Sequence, residues 1–362
     1  MLSGLLRIIP PPAYMTMPCI GLDISDTSLK YIAFKPSLRA GVSKEISMWG
    51  DIDIPNGVVT RGEVVDLKQL TAVLKEFKEK TNATYVRVSL PEERAYLFET
   101  EIKTTTPTKE VQGLLEFRLE ENVPIPSREA FFDYAILPSS PSARTVDVSV
   151  VAYPKETIQA YYDACIEAGL HPLSFEIEAQ AMARAVVPHN LGGAAMLVDF
   201  GKTRTGIGIV YKGALLYAST VDIGGNQLSQ VLRKVLGDKS EDELTKIKNT
   251  EGLSRGAHSS EVRDALMSTV SVVRDEIVTR MQYWHIKSKN QTDRRITSIL
   301  LCGGSANLKG FPEYLTETLG VTVVRGNVWE NAFSIDSTVP PIDRKHSFGY
   351  AAAIGLALKD IM

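Results

Sequence analysis

Apolar and polar positions alternate in two periods along this chain, and the periods mark out its elements. Cys19 to Ile24 is largely apolar and carries Asp23 near its end. A polar stretch, Ser25-Asp26-Thr27-Ser28, separates it from a second apolar run, Leu29 to Phe34, which predicts two strands joined by a short turn. Between Asp66 and Lys80, Leu67, Leu70, Val73, Leu74 and Phe77 recur at helical spacing. Tyr85 to Leu90 alternates like a strand. Thr106-Pro107 predicts a helix start with threonine as the cap, lined by Val111, Leu114, Leu115, Phe117 and Leu119 and closed by Pro124 and Pro126. Val146 to Ala152 predicts a strand, and Pro154 opens a helix that Gly169 stops. Three further strands are predicted at Ala195 to Phe200, Thr205 to Val210 and Ala214 to Val221. Helical periodicity covers roughly 226–290, with the aromatics of Arg280 to His285 read as core; a strand at Ile299 to Cys302 and a helix at Phe311 to Leu319 follow. The apolar stretch from Gly349 onward predicts a helix packed on the core.

One pattern occurs twice. Asp23-Ile24-Ser25-Asp26-Thr27-Ser28 and Asp199-Phe200-Gly201-Lys202-Thr203-Arg204-Thr205 each put an aspartate at the end of an apolar strand, then a small polar turn, then a second strand. Two such hairpins predict a duplicated architecture with a cleft between the copies. A chain of 362 residues also exceeds one ordinary core.

Composition narrows the function. Forty basic residues against forty-three acidic ones give no case for a nucleic-acid partner. Cys19, Cys165 and Cys302 lack metal-ligand spacing and read as small buried hydrophobes. The five histidines show no paired spacing with acids or cysteines, so neither a metal site nor a catalytic triad is argued. The run Leu5 to Ile9, cut by three prolines, is far too short to span a bilayer, and residues 1–17 read as a flexible tail.

The paired turns suggest phosphate chemistry. Backbone N–H groups in tight turns cradle phosphate oxygens, and Ser25, Thr27, Ser28, Thr203 and Thr205 add hydroxyl donors. Asp23 and Asp199 are placed to hold Mg²⁺, through its waters, because magnesium dehydrates reluctantly. Asp222-Ile223-Gly224-Gly225-Asn226 precedes a helix whose N-terminus favours anions. The strand ending in Cys302-Gly303-Gly304 lets backbone approach a flat nucleoside face.

This order of motifs resembles the phosphate-1, phosphate-2 and adenosine motifs of the actin, heat-shock chaperone and sugar kinase superfamily. Within it the chain is most similar to the PilM family of type IV pilus assembly proteins. The words that carry this are Gly21-Leu22-Asp23-Ile24 with Lys30, Lys109-Glu110-Val111 leading to Glu121-Asn122-Val123-Pro124-Ile125-Pro126, Phe132-Asp133-Tyr134, Val150 to Glu156 and Glu176 to Ala185. The resemblance implies an α/β, actin-like (RNase H-like) two-lobed ATPase fold. The first lobe would span 18–198 with a small α+β subdomain at about 96–152, placed as in the cell-division protein FtsA. The second would span 199–334, and 335–362 would return to the first. ATP would lie between the lobes, with Asp23, Ser25, Thr27, Ser28 and Lys30 on one side. Asp199, Gly201, Thr203, Thr205, Gly224 and Gly225 would face them, and Gly303, Gly304 and Asn307 would lie near adenosine. Glu243 and Lys246 would reach base and ribose, or form a solvated helix face; Glu178 would orient the attacking water, or stabilise its helix terminus.

The implied partner is the N-terminal cytoplasmic peptide of a PilN-like bitopic membrane protein, docked beside the subdomain. That would put a cytoplasmic protein at the inner face of the membrane, in contact with the pilus assembly complex and its secretion ATPase, with self-association left open. Four residues depart from the family pattern. Ser25 replaces a usual glycine, Asp26 adds a carboxylate that Mg²⁺ or Lys30 would have to compensate, and Lys202 and Arg204 are bulkier than usual. They leave binding expected and fast hydrolysis in doubt. An FtsA-like division protein is the alternative that wants a membrane-binding C-terminal helix. A small-metabolite kinase wants a sugar-recognition insert.

Overall fold

The computed structural model describes residues 17–35, 45–140, 142–254, 260–288 and 292–359. All of the expected tail except Met17 lies outside the described residues.

Two five-stranded sheets form the frame, and their topologies match. In the first, β1 (Cys19–Ile24), β2 (Ser28–Phe34) and β3 (Ile46–Asp53) make antiparallel pairs, while β6 (Tyr85–Leu90) and β10 (His171–Ile177) extend the sheet in parallel on the other side of β1. In the second, β11 (Ala194–Phe200), β12 (Thr205–Tyr211) and β13 (Ala214–Val221) are antiparallel, and β14 (Ile296–Cys302) and β15 (Thr322–Arg325) are parallel to β11. The repeat in the sequence is thus a repeat of strand order. Asp23 faces Lys30 across its hairpin, and Asp199 faces Gly206 across its own. Because β11 lies wholly in the second sheet, the boundary expected at 198/199 moves to before Ala194.

The minor ribbon β4 (Val59–Thr60) and β5 (Glu63–Val64) leads into α1 (Leu67–Thr81). Asp66 caps this helix through the Gln69 N–H, and its buried face is Leu70, Val73, Leu74 and Phe77. Residues from β7 (Tyr96–Lys103) to β9 (Thr145–Pro154) form a separate three-stranded sheet, in the order β7-β9-β8 with β8 (Ala130–Ile136), covered by α2 (Thr108–Asn122). Val111, Leu115 and Leu119 of α2 join Phe98, Val148 and Val150 in a core of their own. The cap of α2 differs from expectation. Pro107 is the N-cap and no side chain caps the helix, so Thr106 lies one residue too early to serve.

After β9, α3 (Lys155–Glu167) returns to β10, and α4 (Glu178–Val186) follows at once. The long helical region resolves into α5 (Gly225–Leu236), α6 (Glu241–Thr250) and α7 (Ser260–Lys287), which build the second core with α8 (Phe311–Leu319). Within α7, Trp284 is buried but Tyr283 is exposed, so only part of its aromatic run is core. The one-turn α9 (Arg344–Ser347) precedes α10 (Ala351–Leu358), every residue of which is buried. Among the described residues, no helix is long and apolar enough to cross a membrane.

Helices α4 and α10 lie against each other, α10 on β1 and α4 on β12 and β13, so this pair joins the two sheets. Glycine makes the approach close. A Cβ on Gly355 would sit 1.6 Å from the Ala181 carbonyl oxygen, and one on Gly21 would sit 2.1 Å from that of Ala353. Backbone cannot yield as a flexible side chain can. Gly355→Val is therefore expected to lower unfolding stability by about 3 kcal/mol or more, the upper range for overpacked cores. Urea denaturation checks this; a loss under about 1 kcal/mol would show that the contact is soft.

Candidate functional site

Parallel strands of both sheets end at the same place. Asp23 lies near the C-terminal end of β1, Glu92 and Glu93 follow β6, and Glu178 follows β10. From the other sheet, Asp199 lies at the C-terminal end of β11, one residue before Phe200, and Gly303 follows β14. Open α/β sheets bind ligands outside such strand ends. Here the ends border a cavity of about 940 Å³ between the lobes.

Most of the expected residues meet there. Asp23, Ser25, Thr27, Ser28 and Lys30 line one side, Asp199, Gly201, Thr203 and Gly225 the other, with Gly303, Gly304, Asn307 and Glu178 also on the wall. The first turn is braced internally. The Ser25 N–H donates to the Ser28 carbonyl at 2.9 Å, and the Ser28 N–H donates to Ser25 Oγ at 3.2 Å. Lys30 Nζ donates to Ser28 Oγ, which carries its charge onto the turn. At Gly303 the backbone adopts φ +82°, and a Cβ there would lie 2.4 Å from Asp199 Oδ1. Only glycine lets that turn pass so close to the aspartate.

Four expected residues are elsewhere. Thr205 is fully buried and donates its hydroxyl to the Ile223 carbonyl, which leaves that proton no ligand to reach. Gly224 packs on the second turn, where a Cβ would meet Arg204 N at 2.6 Å. Glu243 and Lys246 do not line the cavity. Glu243 completes a capping box with Ser240, accepting from Ser240 N at 3.0 Å, and the cavity-facing side of α6 is instead Glu241, Thr245, Lys248 and Asn249. The N-terminus of α5 is also engaged. The Gly225 and Asn226 N–H groups donate to the carbonyls of Gly201 and Lys202 at 3.0 and 2.9 Å, so they hold the second turn in shape rather than await an anion. One histidine has an acidic neighbour after all: His346 Nδ1 pairs with Asp343 Oδ2, one turn away on an exposed rim.

Other wall residues had no motif to announce them. Glu92 and Glu93 follow Pro91 in a single 3₁₀ turn, and the general rule about strand ends is the signal that would have found them. Segment 341–352 also borders the cavity, held by Asn307 Nδ2 donating to the Lys345 carbonyl at 2.8 Å.

The electrostatics of this wall are unbalanced. Burial raises Asp23, against the opposing pull of Lys30 and of Ser89, whose hydroxyl donates to Asp23 Oδ1 at 2.7 Å. Burial and then the Asp23 charge push Asp199 up to about 7, although Lys30 and Arg204 pull the other way. Burial, then Glu93 and Asp199, push Glu92 up to about 8. Glu178 is raised well above the usual range by burial and by all four neighbouring acids, Asp23 first. Carboxylates in this relation favour either protons or a cation. The donors are hard oxygens, which suits Mg²⁺. Among the described residues no three His, Cys, Asp or Glu side chains converge as direct metal ligands, so Asp23 and Asp199 fit a hydrated ion and not a protein cage.

Glu92 gives a pH test. Its proton is held more tightly in the folded state, so its favourable contribution is complete below the ordinary value of 4.5 and is lost as the pH rises through about 8. Glu92→Gln imitates the protonated acid. The variant and the wild type are expected to melt at similar temperatures at pH 5, with the variant increasingly the more stable towards pH 9. A difference that stays constant across this range would show that Glu92 ionises normally.

The sequence matches the family model described as type IV pilus assembly protein PilM over residues 21–361. Among solved structures, the PilM-PilN type IV pilus biogenesis complex has a chain that superimposes with a TM-score of 0.76 at 20% identity, covering 96% of this chain and 99% of that one. The ethanolamine utilization protein EutJ from Carboxydothermus hydrogenoformans gives 0.53 at 18% identity, covering 97% and 90%. MreB5 of Spiroplasma citri bound to ADP gives 0.53 at 12% identity, covering 87% and 93%. These likenesses agree with an actin-like fold of two lobes, and the family model spans nearly the whole chain. The chain belongs to the PilM family of type IV pilus assembly proteins.

Proposed function

We propose that this protein binds ATP with Mg²⁺ between its lobes and docks the N-terminal cytoplasmic peptide of a PilN-like membrane protein on its three-stranded subdomain. The observation that carries the first half is the meeting of Asp23 and Asp199, from equivalent hairpins, on the wall of one cavity. The two turns and Lys30 receive the phosphates, Gly303 and Gly304 admit the nucleoside, and Asp23 and Asp199 hold the hydrated cation. Bound Mg²⁺ supplies the positive charge that the acidic wall lacks. Turnover is slow on this reading. Glu178 is the acid that would orient water, and burial and its acidic neighbours raise its pKa in the free protein.

The second half rests on the subdomain surface and on the solved PilM-PilN complex. β8 is an edge strand. Its Phe132 and Tyr134 pack on the subdomain core, while Phe131 and Ile136 are exposed. On α2, Leu114 and Phe117 are exposed one turn apart, and Phe117 is 65% accessible. An edge strand suits an extended peptide, and an exposed apolar helix face suits a helical one. Docking there would bring a protein without its own described span to the inner face of the membrane.

Calorimetry on the purified chain tests both halves. Mg-ATP is expected to bind, and Asp199→Ala to weaken it about tenfold or more. Phe117→Ala is expected to weaken binding of the partner's tail peptide by about 1–3 kcal/mol without affecting Mg-ATP. Folded protein that takes up no nucleotide contradicts the first half. A tail peptide bound with unchanged affinity by Phe117→Ala and by a Phe131→Ala, Ile136→Ala variant contradicts the second.

A further inference from the structure

Two of the departures from the family pattern meet in space. Arg204 belongs to the second-lobe turn and Asp26 to the first-lobe turn, and Arg204 Nη2 lies 2.7 Å from Asp26 Oδ1. Arg204 Nη1 also pairs with Glu93. The three side chains are largely buried, at 15%, 14% and 18% exposure, and all three line the cavity. Arg204, bulkier than usual for its turn, is a direct charge partner of Asp26. One guanidinium thus bridges the lobes between the two turns assigned to phosphate.

We infer that Arg204 senses the terminal phosphate of a nucleoside triphosphate, exchanging its Asp26 partner for that phosphate and so distinguishing triphosphate from diphosphate. The inference rests on the nucleotide reading above. Three features favour the exchange. The guanidinium fork matches phosphate as well as carboxylate, and a terminal phosphate carries more charge than Asp26. Asp26 does not lose all its partners, because the Arg61 and Gly62 N–H groups donate to its two oxygens at 3.3 and 3.4 Å. The backbone need not move, since the Arg204 carbonyl accepts from the Gly201 N–H at 2.9 Å and Gly224 packs against its amide. Only the side chain has to swing. Without a terminal phosphate, the Asp26–Arg204–Glu93 cluster ties the lobes directly.

The test compares affinities of the full chain for Mg-ADP and for the Mg complex of a β,γ-imido ATP analogue. In Arg204→Gln the preference for triphosphate over diphosphate is expected to fall about tenfold or more, the loss of one charge-assisted contact. Asp26→Asn removes the competitor for Arg204 and is expected to raise that preference. It also retains one side-chain oxygen to accept from one of the 61–62 amides, so it serves if the glutamine variant does not fold. A preference unchanged in Asp26→Asn, or in a folded Arg204→Gln, reduces the cluster to a structural tie and overturns the inference alone. Wild-type protein that binds neither nucleotide overturns both this and the nucleotide reading.

Discussion

Two aspartates, one from each lobe, face a single cleft, Asp23 buried and Asp199 half-buried, and the rest of the site is arranged around their repulsion. Asp23 and Asp199 cannot both be bare anions there at little cost. Asp199 responds by holding its proton to about pH 7. Lys30 and Arg204 stand within electrostatic reach, and the Ser89 hydroxyl bonds to Asp23. Glu92 and Glu178 add to the excess of acid and are themselves pushed up. A wall built this way is stable with protons on it and prepared for a cation that arrives with its own ligand.

The placement of these acids follows from packing. Each sheet directs the C-terminal ends of its parallel strands at the cleft, and the distance between the sheets is set by α4 and α10. The contact is backbone on backbone at Gly355 and Ala181, which leaves little slack. The same α4 begins with Glu178 and carries Ala181, so the helix that spaces the lobes also delivers an acid to the wall. Relative motion of the lobes would therefore be felt at Glu178 and at the Asp26–Arg204 bridge together.

Much of this was legible in the sequence, and the physical reason is duplication. Two aspartate-ended hairpins are individually weak signals, yet a hairpin repeated with its polar turn constrains where both must lie. The C-terminal helix was legible because an unbroken small apolar stretch has only a buried place to go. The lobe boundary was drawn at Asp199, the start of the second turn, although the strand that carries this aspartate pairs within the second sheet. Glu243 and Lys246 were chosen from a helix whose phase was open. The capping box at Ser240 fixes that phase, commits Glu243 to the helix end and turns Glu241 and Lys248 inward. Glu92 and Glu93 carry no motif, and Arg204 read as bulk in a tight turn until its partner Asp26 appeared across the cleft.

The claim that a cation-bearing nucleotide discharges this acidic wall can be read directly from protons. Calorimetric titration of preformed Mg-ATP at pH 7.5, repeated in buffers of different ionisation enthalpy, counts the protons exchanged on binding. With Glu92 near 8 and Asp199 near 7 in the free protein, the arriving cation should release on the order of one proton per nucleotide bound, as cation binding to protonated ligands does. Binding with no proton release, or with uptake, would contradict the account.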